Sequence, residues 1–355
     1  MFGLDLRTLR KLWTLFLFVL AILVVYWIGR TLVVFTLAIF LAHLLGPIAE
    51  RIEKMIPDRI LGRTASLAIV YLLMIAAITA ALVPLVGLVA SQATSLAGTL
   101  PAQLDEDPIA KLRLPVWLEP AREKLSLVLR DHLSDFDEKL IPMLQDVGSN
   151  VAGLLGSVLA MILIPILSFF FLKDSSDIHD SLVDLFPGEH RDLVEDILAD
   201  LHNLLESYIR ALMLLALCVL GSYTAFLYLV GVRYAILLAA VAAALEIIPI
   251  VGPLVGSVAI VLVALLTGFP HIWWLVVFLI LFRLVQDYVI SPQLMSAGVE
   301  VHPLLVLFGV LAGEQIAGIS GMFFSVPVMA ALRILIMRMR RSKISEDVNV
   351  SVILE

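Results

Sequence analysis

Cysteine is almost missing from this chain: Cys218 stands alone within an apolar run, so no intrachain disulfide can staple the fold and cysteine usage says little about compartment. Charge is scarce as well. Asp, Glu, Lys and Arg make up 15% of the residues, against about a quarter in soluble domains. The net charge of -7 comes mostly from acids clustered in two polar stretches, and the basic residues form no broad face, which argues against a nucleic-acid partner. No H-E-x-x-H, Walker A or C-x-x-C motif occurs, and the seven histidines show no ligand spacing. No metal, nucleotide or other cofactor is therefore expected, and no enzymatic activity. Solenoid repeats of about 20–50 residues and low-complexity tracts are also missing.

What fills the sequence is apolar: 61% of its residues are hydrophobic. Apolar runs that read as membrane segments recur at Leu12 to Ile28, Thr31 to Leu45, about Thr64 to Val89, Val151 to Leu172, Ala211 to Val230, Tyr234 to Gly268, Ile272 to Ile290 and Pro303 to Met337. The first follows Arg7, Arg10 and Lys11 like a signal peptide, but it is too long, lacks an A-x-A-like cleavage site and is followed at once by a second run. Both read as retained spans, a helical hairpin turning at Gly29-Arg30. The expected fold is an all-α polytopic integral membrane protein of about eight membrane segments, two of them broken or re-entrant in the C-terminal half.

Lysine and arginine near the span ends set the orientation. Arg7, Arg10 and Lys11, then Arg51, Lys54, Arg59 and Arg63, then Arg338, Arg340, Arg341 and Lys343 fall on the cytoplasmic side. Both termini are thus expected inside. The chain divides into N-terminal spans (1–90), an extracytoplasmic helical region (91–150), a span (151–172), a cytoplasmic amphipathic helical region (173–210), a C-terminal transport core (211–340) and a tail (341–355).

The run from Tyr234 to Gly268 is interrupted in its middle by Glu246 and by P-I-V-G-P, Pro249 to Pro253. An acidic residue at the centre of a membrane helix costs about 2.5–3.5 kcal/mol on insertion scales, a cost borne mainly where the group faces a cavity or a partner. Pro249 ends the first half-helix, and Pro253 suits the start of the second. Each half, about fourteen residues, reaches only ~21 Å of a ~30 Å hydrocarbon core. Half-helices meeting in mid-membrane follow, either crossing or re-entrant. Backbone groups freed there must be buried or face water, as in transporter ion and substrate sites. Gly252 and Gly256 form a G-x-x-x-G that would serve close helix packing instead.

The last apolar run has a comparable design. Gly309 and Gly313 form another G-x-x-x-G, and Gly313, Gly318 and Gly321 loosen a stretch carrying Glu314 and Gln315. Between the two broken runs lies F-R-L-V-Q-D-Y-V-I-S-P-Q-L, Phe282 to Leu294. Its Arg283 and Asp287 share a helix face. They read as a structural ion pair, as part of a proton or ion relay with Glu246 or Glu314, or as an exposed interfacial pair. Gly318-Ile319-Ser320-Gly321 matches the G-x-S-G string of intramembrane serine proteases, but no histidine follows to act as base, and it reads as a flexible helix break.

Two extramembrane helices are expected. In the outer one, Leu129, Leu133, Phe136, Leu140, Met143 and Val147 step by alternating fours and threes, a coiled-coil-like seam. It packs on its own protomer, lies at the lipid interface, or forms an oligomer contact. The inner one places Val194, Ile197, Leu201, Leu205 and Tyr208 on one face, with Asp192, Glu195, Asp196 and Asp200 largely elsewhere as solvated charge.

E-I-I-P-I-V-G-P-L-V-G from Glu246, Q-D-Y-V-I-S-P-Q-L from Gln286, H-P-L-L-V-L-F-G-V-L-A-G from His302 and G-I-S-G-M-F-F-S-V-P from Gly318 together resemble the autoinducer-2 exporter family of prokaryotic membrane proteins. F-F-L-K-D at Phe170 and H-L-L-G-P-I-A-E-R-I-E at His43 fit as well. The resemblance implies a multi-pass plasma-membrane transporter, a homo-oligomer in the lipid bilayer, exporting a signalling molecule or other small solute or exchanging a cation such as Na+ for H+. Its motif positions fall here on Glu246, Pro249, Gly252, Pro253, Gly256, Asp287, Pro292, Pro303, Gly318, Gly321 and Pro327. Glu314 stands where the family often has a second glycine. A substrate or ion pathway formed by Glu246, the P-I-V-G-P break, Arg283, Gln286, Asp287, Pro292, Glu314, Gln315, Gly318 and Gly321 is the expectation that follows. A passive channel and a non-transporting scaffold are the alternatives.

Overall fold

The computed structural model describes residues 27, 29–53, 63–104, 158–186, 188, 191–294 and 302–353. All its regular elements are helical: α1 (Gly29–Glu53), α2 (Arg63–Leu104), α3 (Val158–Lys173), α4 (Ser175–Asp184), α5 (Arg191–Val230), α6 (Ala235–Leu245), α7 (Val251–Leu266), α8 (Ile272–Val285), a π-helical turn (Gln286–Ile290), α9 (Ser291–Leu294) and α10 (Pro303–Ile353). The expected all-α polytopic class holds. Among the described residues, four stretches are long and apolar enough to cross a membrane, Leu67–Thr99, Arg191–Val230, Ile272–Gln293 and Leu304–Arg340, and shorter apolar helices cover Val33–Ala49, Ile162–Lys173, Ala235–Leu245 and Val251–Leu266. The N-terminal run, apart from Trp27, and the whole Leu129 to Val147 seam lie outside the described residues.

Helices persist across two limits drawn from polarity alone. α2 continues beyond residue 90, because the polar side chains there turn back on their own helix. Ser91 donates to the Leu88 carbonyl at 2.8 Å, Thr94 to Ala90 at 3.0 Å and Thr99 to Ser95 at 3.1 Å. Similarly, α5 is one 40-residue helix joining the acidic inner helix to the span that follows it. Nothing between Arg191 and Val230 breaks a backbone; only the position of the apolar residues changes. Gly29 and Arg30, expected at a turn, are the first residues of α1.

Both broken segments fold back on themselves. A Cβ built on Gly252 would stand 1.7 Å from the Leu245 carbonyl oxygen, and one on Gly256 would stand 3.2 Å from the Ala242 Cα. Residues rising along α7 therefore meet residues falling along α6, an antiparallel hairpin. At about 1.5 Å per residue the arms reach only ~16 and ~24 Å, too short to cross singly. α10 turns at Ala317 (φ -141°) and Gly318 (φ 59°, ψ -138°), a conformation open to glycine and closed to residues with a side chain. Across that turn, Gly313 would meet the Gly321 carbonyl at 2.3 Å and Gly309 would meet Met329 at 2.9 Å. The two G-x-x-x-G strings are packing surfaces within hairpins, where missing side chains let arms touch.

The first hairpin is the centre of the core. Ala235, Leu238, Ala239 and Ala242 of α6 and Ile260 and Ala264 of α7 pack with Val219, Tyr223 and Leu227 of α5 and Leu275 and Leu279 of α8. Its open end is held by α2, where Ala93 and Leu96 lie against Leu237 and Leu266. The Gln92 carboxamide oxygen accepts the Leu237 N–H at 2.9 Å, satisfying a donor in the first turn of α6. The second hairpin lies along the other half of α5: Tyr208 faces the Phe323 carbonyl, and further on Arg338 pairs with Asp196 and Asp200 at 2.5 and 2.7 Å. The hairpins consequently open toward opposite ends of α5.

Candidate functional site

The site is built where the tip of the first hairpin meets the end of α8. Glu246 is the residue at which α6 stops, and its side chain is 8% exposed. A carboxylate at a helix C-terminus faces the negative end of the macrodipole, so a cation or donors must offset it. α8 supplies both. The Gln286 amide, 2% exposed, donates to Glu246 Oε1, and Arg283 Nη1 stands 3.7 Å from the same oxygen. Arg283 Nε also donates to Asp287 Oδ2 at 2.9 Å. One guanidinium thus serves two carboxylates, one buried and one 45% exposed.

Local backbone explains why these side chains converge. α8 loosens into the π-helical turn at Gln286, a feature that often marks functional positions because it re-aims the residues it contains. In the hairpin tip, Val251 N–H reaches the Pro249 carbonyl at 2.7 Å around Ile250, whose φ is 66° and ψ -55°. That is the rare positive-φ form of the γ-turn, and it is costly for a β-branched residue. The strain is held in place by close packing on both sides, Gly252 against Leu245 and Gly256 against Ala242. Pro249 lies within the turn, and Pro253 takes the third position of α7, where its missing N–H costs nothing.

Glu246, Arg283, Gln286 and Asp287, expected together, are together. Five other members of the expected pathway are elsewhere. Glu314 and Gln315 lie exposed on the first arm of the second hairpin, and among the described residues no hydrogen bond or ion pair ties them to Glu246. Pro292 is exposed in α9. Gly318 forms the second turn and Gly321 its crossing point. Tyr223 belongs to the site although nothing in the sequence singled it out: 5% exposed, it lies beside Ser257 and close to the charges of Glu246 and Arg283. Its ring meets Phe278 and Phe282 edge-on at 5.7 and 5.1 Å. The available signal was the short polar string Gly221-Ser222-Tyr223-Thr224 inside an apolar helix. No group of three or more His, Cys, Asp or Glu side chains able to hold a metal occurs among the described residues.

Chemically the cluster offers two carboxylates that compete for one guanidinium, with the Gln286 amide as a further donor to the buried one.

Comparison with known proteins supplies a second line of observation. Residues 15–341 match a family model described as AI-2E family transporter. YrrI and YueF of Bacillus subtilis (strain 168), each bearing the name "Putative transport protein", are 25% identical over 314 residues and 27% identical over 349. These alignments cover 86% of this chain and 86% of YrrI, and 90% of this chain and 91% of YueF. A similarly named protein of Methanothermobacter thermautotrophicus is 27% identical over 311 residues, covering 86% of both chains.

Proposed function

The chain belongs to the AI-2E transporter family, whose members support a permease or transporter role, and on that premise we propose that it is a secondary transporter. It moves a small polar solute or signalling molecule across the prokaryotic plasma membrane, coupled to a proton or cation gradient, with both termini in the cytoplasm and several protomers assembled together. The observation that carries this reading is Glu246, a carboxylate 8% exposed at the tip of a hairpin and sharing Arg283 with Asp287. The hairpins opening toward opposite ends of α5 support re-entry from the two membrane faces, the arrangement in which half-helices meet near the midplane.

Reconstituted proteoliposomes, offered a panel of metabolites and cations with and without an imposed proton gradient, test the proposal. Gradient-dependent accumulation is expected. Flux that merely equilibrates the solute would turn the reading to a channel, and absence of flux for the whole panel, with pH inside the vesicles unmoved by any cation, to a scaffold.

A further inference from the structure

Away from Glu246, two histidines from distant parts of the chain meet between α1 and α5. His43 Nδ1 is 2.9 Å from the Ile39 carbonyl oxygen, and its Nε2 is 3.2 Å from His202 Nδ1. The rings stand 4.8 Å apart, tilted by 48°. These contacts fix the tautomers. A carbonyl only accepts, so His43 carries its proton on Nδ1 and offers the Nε2 lone pair; His202 must then donate from Nδ1. The bond survives one proton on the pair, because a His202 cation still donates to a neutral His43. A second proton, on His43 Nε2, sets donor against donor and cation against cation.

The other charged groups nearby do not replace this bond. Glu206 lies four residues beyond His202 on the same face of α5 and acts on His43 through its charge. At the end of α3, which packs against α1, Lys173 pairs at 3.3 Å with Asp174, the residue that follows it, and on α10 Arg338 is engaged by Asp196 and Asp200. Around the histidines, Phe40 and Leu44 of α1 pack with Leu205, Tyr208 and Ile209 of α5 and with Phe323 and Phe324 of α10. Phe40 meets those two rings at 5.2 and 5.4 Å. Whatever parts α1 from α5 therefore also loosens the outgoing arm of the second hairpin.

We propose that the His43–His202 pair is a pH-sensitive latch that clamps α1 to α5 and, through Phe40, to the second hairpin, and that it opens when both imidazoles are protonated. The device is independent of the transport reading, since it concerns a contact and not a flux.

The test uses the full chain in liposomes, with Cys218 replaced and spin labels at positions 52 on α1 and 203 on α5, both exposed. Distances are measured at about pH 7.5 and about pH 4.5, the lower value set well below the ordinary histidine value of ~6.5 because the second proton must go on beside the first. A lengthening of about 1–2 Å, the scale of helix shifts at interfaces, is expected on acidification. It should vanish in His43→Gln, which cannot gain the second proton. An unchanged distance in the labelled protein with native histidines, or the same shift in His43→Gln, overturns the latch. Should that variant fail to fold, nitrogen-15 shifts of histidine-labelled protein decide: at about pH 7.5 His43 is expected protonated on Nδ1 alone, and a proton on its Nε2 with His202 neutral overturns the proposal.

Discussion

Glu246 and Gln286, forty residues apart in sequence, share a hydrogen bond that exists only because the first hairpin brings its tip to the end of α8. The acceptor is titratable and the donor is not, so the pair distinguishes titration from shape. In Glu246→Gln, an amide keeps the size and the hydrogen bond but removes the charge that Arg283 faces. Gradient-coupled flux in proteoliposomes, normalised to folded protein, is expected to fall about tenfold or more, as suits the loss of a charge-assisted contact of ~1.5–3 kcal/mol. Retention of the native rate and its pH profile would leave the hairpin tip as a packing element.

Asp287→Asn should act more mildly. Asp287 is 45% exposed and accepts from Arg283 at 2.9 Å; its amide keeps an acceptor oxygen for the guanidinium, so the folded protein should survive with a melting temperature within a few degrees of the native one. Arg283 is then left to Glu246 alone. Flux should become slower and less dependent on the imposed gradient, and full coupling at the native rate would contradict the sharing of one guanidinium between two acids.

Gly252→Ala tests the hairpin itself. With its Cβ 1.7 Å from the Leu245 carbonyl oxygen, and that oxygen part of a backbone, the contact cannot be relieved by a rotamer change. Destabilisation above about 4 kcal/mol is expected, in the range reserved for steric faults in a core. Little monodisperse protein should be recovered in detergent, whereas Gly87→Ala, with open space around it, serves as the tolerated control. Normal yield and thermal stability of the Gly252 variant would show that α6 and α7 do not lie this close.

Orientation and assembly each have a direct readout. A single cysteine at position 120, introduced after Cys218 is replaced, should react with an impermeant maleimide in intact cells; reaction only after permeabilisation would reverse the proposed orientation.

Leu133→Glu with Leu140→Glu should lower the mass of the detergent-solubilised particle if the seam from Leu129 to Val147 joins protomers. An unchanged mass in matched detergent would assign the seam to its own protomer or to the lipid interface.

Much of the molecule was legible in the sequence because the bilayer constrains composition strongly. Apolar length located the membrane helices, and the cost of a buried acid drew attention to Glu246. The i, i+4 spacing paired Arg283 with Asp287, a bond found at 2.9 Å. What eluded the sequence were relations that depend on how chains fold back. Gly252 and Gly313 read equally well as surfaces for another helix, and only the hairpins show that each contacts its own segment. Tyr223 and Gln92 were hidden because a single polar side chain in an apolar helix carries no label for the partner it will find. The extension of α2 to Leu104 and the continuity of α5 went unread for a related reason: polarity marks where water begins, while a backbone can stay helical across that limit.

The continuity of α5 also has a mechanical consequence. At about 1.5 Å per residue its 40 residues form a rod of ~60 Å, roughly twice the hydrocarbon thickness. One end carries the aspartates that grip Arg338, and the other leads directly into the first hairpin. Such a rod behaves as a lever: a tilt about its middle drives its two ends in opposite directions. Interrupting it by a flexible insertion near residue 211 would disconnect those motions without touching a single side chain at either end.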